Sequence, residues 1–110
     1  GKAAFELTLR IDPGWHINSH RPLQDYLIPL GVESAAGQQL SVTYPAGKLA
    51  RLGFNASALS VYEDSVAISG QVEAKPDAPV LSPPLKLTVQ ACTDKACLPP
   101  ESVLLQYLYR

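Results

Sequence analysis

An all-β fold is predicted by three features of the chain: short runs that alternate apolar and polar residues, dense turn-formers, and no stretch with a convincing helical period. The 110 residues include ten prolines and seven glycines, a density that breaks long helices and favours short strands joined by turns. This length suits one domain with a single core, stable without a disulfide.

Phe5-Glu6-Leu7-Thr8-Leu9-Arg10-Ile11 alternates without a break, so one face of a strand is dry and the other wet. Asp12-Pro13-Gly14 ends it as a turn. Trp15 to Asn18 resumes extended structure, with Trp15 expected in the core, and Ser19 to Pro22 is a loop. Tyr26 to Glu33 is apolar enough for a strand, and Pro29, which lacks an N–H, places it at an edge or a bulge. Ala35-Ala36-Gly37 turns, and Leu40 to Tyr44 alternates until Pro45. Lys48 to Ser60 has no clean period and is expected to be a loop.

Val61-Tyr62 opens a strand, Glu63-Asp64-Ser65 turns, and Val66 to Val72 continues as strand. The proline-rich stretch from Lys75 to Pro84 is a connector. Leu85 to Ala91 alternates again, and Val103 to Tyr109 forms the last strand, with Tyr107 and Tyr109 on the face of Val103 and Leu105. About seven or eight short strands with regular turns argue for an antiparallel sandwich, immunoglobulin-like in class, with a small barrel as the alternative. The Cys–Trp–Cys spacing of antibody domains is absent, because both cysteines fall in one hairpin.

The net charge of −1 implies no broad basic surface, which argues against nucleic acid or an acidic membrane face as main partner. No apolar run reaches the roughly 18 residues of a membrane span. The chain begins at Gly1 and contains no Met, as expected of a domain, 1–110, excised from a longer protein.

Chemistry concentrates in Gln90-Ala91-Cys92-Thr93-Asp94-Lys95-Ala96-Cys97-Leu98-Pro99-Pro100, which holds both cysteines with four residues between them. Strands running into and out of this segment can bring the Cα atoms within the roughly 4.4–6.8 Å of a disulfide. A bond closing so small a loop stabilises by only about 2 kcal/mol, which suits it to being made and broken. The alternation of 85–91 puts Leu85, Leu87, Val89 and Ala91 on the core face, so Cys92 is expected on the outer, solvent-reachable face with Lys86, Thr88 and Gln90. Lys95 favours a thiolate and Asp94 opposes it. The residues alone leave three readings: thiol–disulfide exchange, a static disulfide in a non-catalytic binding module, and a metal or copper site drawing on the cysteines with His16 and His20. Histidines four apart converge only on a helix, which Pro13, Gly14 and Pro22 disfavour.

The segment Gln90 to Pro100 resembles the signature of the N-terminal periplasmic domain of the thiol:disulfide interchange protein DsbD. Pro13-Gly14-Trp15-His16-Ile17-Asn18, Tyr44-Pro45-Ala46-Gly47-Lys48 and Val61-Tyr62-Glu63 resemble further landmarks of that family, in order. The resemblance implies an immunoglobulin-like sandwich with a reversible Cys92–Cys97 disulfide at one end and no organic cofactor. It implies a protein-disulfide reductase domain in the periplasm of a Gram-negative bacterium, tethered to an inner-membrane protein. Electrons would arrive from thioredoxin-like and membrane-embedded parts of that protein and leave to periplasmic oxidoreductases, including one serving cytochrome c maturation. Cys97 would exchange with partners and Cys92 would resolve. Phe54, in the segment Gly53 to Ser60, would shield the sulfurs, and Tyr62 is a second candidate to line them. The best-known members separate their cysteines by five residues and carry acidic residues in the cap that have no counterpart beside Phe54. Shorter spacing occurs in relatives linked to copper tolerance.

Overall fold

A computed structural model describes residues 2–35, 37–51, 53, 57–73 and 85–105. The connector from Lys75 to Pro84, Phe54, Tyr107 and Tyr109 lie outside the described residues. The described residues form ten strands: β1 (Lys2–Arg10), β2 (His16–Asn18), β3 (Gly31–Ser34), β4 (Leu40–Thr43), β5 (Lys48–Ala50), β6 (Leu59–Tyr62), β7 (Ser65–Glu73), β8 (Leu85–Val89), β9 (Ala91–Cys92) and β10 (Glu101–Leu105).

All pairings are antiparallel and fall into sheets ordered β1-β7-β4, β10-β8-β3 and β5-β6-β2-β9. The result is an immunoglobulin-like sandwich. The larger core cluster joins Phe5, Val66 and Ile68 of the first sheet to Val32, Leu85 and Leu87 of the second and Ile17 and Tyr62 of the third. In the long strands alternation predicts these faces, because every second residue goes to the core, as Ala3 and Phe5 do in β1.

The turn after β1 forms as its residues dictate. Trp15 N–H donates to the Asp12 carbonyl at 3.1 Å, and Gly14 supplies the positive φ of 84° that the turn needs. Trp15 itself is half-buried rather than in the core. At the next corner Asp64 takes φ 65°, a region that Asp tolerates better than most residues. Its carbonyl accepts the Ile11 N–H at 2.8 Å. This turn carries the chain from the third sheet into the first, because β6 and β7 pair with different strands.

Two segments differ from the secondary structure expected of them. The strand expected over Tyr26–Glu33 is reduced to Gly31–Ser34, with Leu27 N–H bonded back to the Gln24 carbonyl in a turn. Pro29 has no N–H for a ladder, and the stretch before Gly31 serves instead to bury Leu27 and Leu30. The loop expected over Lys48–Ser60 contains β5 and the first half of β6. All four β6 residues are buried, so both faces are covered and no alternation marks the strand. In β10, Val103 and Leu104 are exposed, as an edge strand allows.

Candidate functional site

The cysteines lie where the chain changes sheets. β8 pairs with β3 and β10 and ends at Val89; after Gln90, β9 pairs with β2 instead. Gln90 fastens this crossing. Its carbonyl accepts Asn18 N–H at 3.1 Å, and its Oε1 accepts Asn18 Nδ2 at 2.8 Å and Ile28 N–H at 2.9 Å. Its Nε2 donates to the Leu98 carbonyl at 3.1 Å, directly after Cys97. Asn18, fully buried, also donates Nδ2 to the Ile28 carbonyl at 3.0 Å.

Beyond Gln90 the chain makes a tight hairpin. Leu98 N–H donates to the Ala91 carbonyl at 2.8 Å and Thr93 N–H to the Ala96 carbonyl at 2.9 Å. Thr93 Oγ1 accepts the Lys95 and Ala96 amides at 3.2 and 3.4 Å, which fixes the turn. Cys92 and Cys97 stand opposite each other in a single antiparallel bridge and form a disulfide. Their Cα atoms are 3.9 Å apart, closer than the expected window.

The two sulfurs differ in surroundings. Cys92 is fully buried, in a second, smaller core cluster with Leu27, Leu59 and Val61. Cys97 is half-buried and packs at the edge of that cluster, followed by exposed Leu98. The expectation that Cys92 is solvent-reachable is therefore overturned. The alternation itself holds, since Ala91 packs against the larger core and Cys92 faces the other way. That second face is dry, because the segment before β3 brings Leu27 over it.

On the third sheet, His16 pairs in register with Cys92. Its Nε2 meets Glu63 Oε2 at 3.2 Å, and the other oxygen of Glu63 is hydrogen-bonded by Lys48 Nζ. The Lys48 hydrogen bond holds the Glu63 carboxyl below its ordinary range, with the nearby charge of Lys48 and His16 adding to it. The same contact raises Lys48. His20 does not join His16: its ring stacks on Tyr44 with centroids 3.6 Å apart, and Nδ1 lies 2.8 Å from the Leu30 carbonyl. Among the described residues, no group of three or more His, Cys, Asp or Glu is placed to hold a metal ion.

Tyr62 is buried in the larger cluster, not the one that holds Cys92. Its hydroxyl donates to the Pro45 carbonyl at 2.7 Å and accepts the His20 amide at 3.3 Å, and burial pushes its pKa up. Phe54 lies outside the described residues, but its neighbour Gly53 packs on the cysteine turn: a Cβ there would sit 2.7 Å from the Asp94 carbonyl oxygen. The sequence reading missed Gln90 and Asn18 as the fasteners of the site. Their signal was polarity at positions next to apolar strand residues, which by itself says only that a residue faces outward.

An antiparallel sandwich with a hairpin disulfide, one sulfur enclosed and its partner near the surface, places the chain among β-sandwich domains built around a cysteine pair. The chain belongs to the family described as the thiol:disulfide interchange protein DsbD, N-terminal, whose match spans residues 1–108. Among solved structures it is similar to the crystal structure of the Neisseria meningitidis DsbD N-terminal domain in the reduced form. That match has a TM-score of 0.67 and 15% identity, and it covers 94% of this chain and 74% of that one. No curated protein matches the chain. No described helix is long and apolar enough to cross a membrane.

Proposed function

We propose that the chain is the thiol–disulfide exchange domain of a larger periplasmic, membrane-anchored reductase. It takes electrons from a thioredoxin-like donor and gives them to oxidised periplasmic thioredoxin-like proteins. The observation that carries this reading is the asymmetry of the pair: Cys92 is fully buried, whereas Cys97 is only partly so. A thiolate reaches the sulfur it can approach, so Cys97 is the exchanging residue.

In the charging step the donor thiolate attacks Cys97 Sγ. A donor–Cys97 disulfide forms, the Cys92–Cys97 bond breaks, and the electron pair leaves on Cys92 Sγ. The donor's second thiolate then attacks its own sulfur in the mixed disulfide and releases Cys97 as thiolate. In the discharging step Cys97 attacks an acceptor disulfide. Cys92 then attacks Cys97 Sγ, restoring the Cys92–Cys97 bond and releasing the reduced acceptor. Family membership and the closed hairpin disulfide support the exchange chemistry. Phe54 is the proposed shield of the sulfurs.

The test is trapping. Reduced Cys92→Ser, mixed with an oxidised thioredoxin-like acceptor, is expected to accumulate a mixed disulfide through Cys97. Absence of an adduct, or faster trapping by Cys97→Ser through Cys92, overturns the reading.

A further inference from the structure

His16 has one ring nitrogen occupied and one bare. Nε2 faces the Glu63 carboxylate at 3.2 Å, so Nε2 carries the proton when the ring is neutral and Nδ1 presents a lone pair. Nδ1 is buried and has no hydrogen-bond partner among the described residues. An unpaired buried nitrogen is costly to keep. The residue directly across the strand pair, on the same face, is Cys92. In the disulfide, Cys92 Sγ has no proton to offer. Once the bond is reduced it becomes a thiol, the donor that Nδ1 lacks.

We propose that His16 is the general base for the resolving cysteine: Nδ1 accepts the Cys92 thiol proton as Cys92 attacks Cys97. The order is carboxylate, imidazole, sulfur, with the carboxylate fixing the ring and stabilising the imidazolium that forms. The proton passes from Cys92 Sγ to His16 Nδ1, and the thiolate electron pair makes the new bond to Cys97 Sγ. The Cys97–acceptor bond breaks, and the acceptor sulfur leaves as a thiolate that takes up the proton through solvent. No outside oxidant is needed, because the acceptor disulfide is the oxidant. Burial makes the base necessary: a thiol enclosed by Leu27, Leu59 and Val61 loses its proton reluctantly. The charged groups on the surrounding elements are Lys48 on β5, Glu63 and Asp64 after β6, and Asp94 and Lys95 in the turn after β9. Of these, Glu63 is the one in contact with the ring.

The proposal rests on the assignment of Cys97 as exchanging and Cys92 as resolving, and its test needs no protein partner. The reduced 110-residue chain is mixed in stopped flow with 5,5′-dithiobis(2-nitrobenzoate) between about pH 5 and 9. One thionitrobenzoate leaves when Cys97 reacts and a second when Cys92 closes the disulfide; Cys92→Ser, releasing only the first, identifies the phases. With His16 as base, the second phase is expected to gain little as pH is raised into the thiol range. In His16→Phe it should instead keep climbing through and above the ordinary thiol range near about pH 8.5, and at pH 7 it should slow by at least about 10-fold. His16→Asn, which keeps a polar acceptor but no base of this strength, should behave like His16→Phe and covers the case in which that variant does not fold. Glu63→Gln should slow the second phase by a smaller factor, with the first phase unchanged. An unchanged second-phase profile in His16→Asn, or equal slowing of both phases, overturns the proposal. Failure to trap a protein acceptor would count against the proposed function and leave this measurement readable.

Discussion

Asn18 and Gln90 are joined twice, by Asn18 N–H to the Gln90 carbonyl at 3.1 Å and by Asn18 Nδ2 to Gln90 Oε1 at 2.8 Å. The double link holds β2 to the point at which the chain leaves one sheet for another, and it sets the register that puts Cys92 opposite His16. A Gln here serves both halves of the hairpin, since Oε1 takes two donors on the Asn18 side and Nε2 reaches the carbonyl of Leu98.

Gln90→Ala is therefore expected to cost about 1–3 kcal/mol in urea unfolding, because the Ile28 amide loses a partner in a partly buried site. Gln90→Glu separates the two roles. It keeps acceptors for Asn18 and Ile28 but sets a carboxylate oxygen against the Leu98 carbonyl. Alkylation of reduced Cys97 should be faster in Gln90→Glu than in the parent, with a smaller loss of stability than in Gln90→Ala. Equal alkylation rates would mean that the Leu98 link does not govern Cys97.

Gly47 lies where three segments meet. A Cβ there would stand 2.7 Å from Ser19 Cβ and would also collide with Ser60 Oγ, and those two serines share a buried hydroxyl contact of 2.8 Å. Gly47→Ala should destabilise by about 1–3 kcal/mol, as overpacking does. Adding Ser60→Ala should recover only part of the loss, since the Ser19 contact remains. Thermal unfolding of the two single variants and the double variant measures the coupling.

Much of this arrangement was legible in the sequence. The alternation in β1, β7 and β8 assigned their core residues, and Asp12-Pro13-Gly14 announced its turn. Tyr44-Pro45-Ala46-Gly47-Lys48 proves to be a run of separate duties. Tyr44 Oη accepts the Val32 amide at 3.0 Å, Pro45 accepts the Tyr62 hydroxyl, Gly47 admits the serine pair, and Lys48 holds Glu63. What escaped the sequence was long-range. The burial of Cys92 depends on Leu27, far away in the chain, closing over a face that alternation marks as outward. β6, dry on both sides, has no period to detect. Local pattern gives the face of a side chain, whereas exposure depends on what folds over that face.

The Glu63 carboxyl titrates lower in the folded chain than in the unfolded one, chiefly through its hydrogen bond to Lys48. Its ionised form therefore supports the fold. The contribution is complete above the ordinary carboxylate range, about pH 4–4.5, and is lost as pH falls through the folded value. Glu63→Gln should be less stable than the parent at pH 7, and the gap should close as both are acidified. The pair is at the surface, so added salt should narrow the gap as well. A gap independent of pH and salt would assign the effect to packing.

Gly53 gives the most direct test of access to the sulfurs. A Cβ at this position would lie 2.7 Å from the Asp94 carbonyl oxygen, and because that atom is backbone, no side-chain rotation relieves the contact. Either the segment leading to Phe54 or the cysteine turn has to move. The turn is tied by Thr93 to the Lys95 and Ala96 amides and by the disulfide itself, so the segment at Gly53 is the one expected to yield. Gly53 is exposed and lies outside the strands, and Gly53→Ala should change global stability by no more than about 1 kcal/mol. The effect should appear in kinetics: reduction of the Cys92–Cys97 bond by dithiothreitol should quicken several-fold as the segment stands off the turn. An unchanged rate, with stability also unchanged, would mean that this segment does not restrict approach to Cys97.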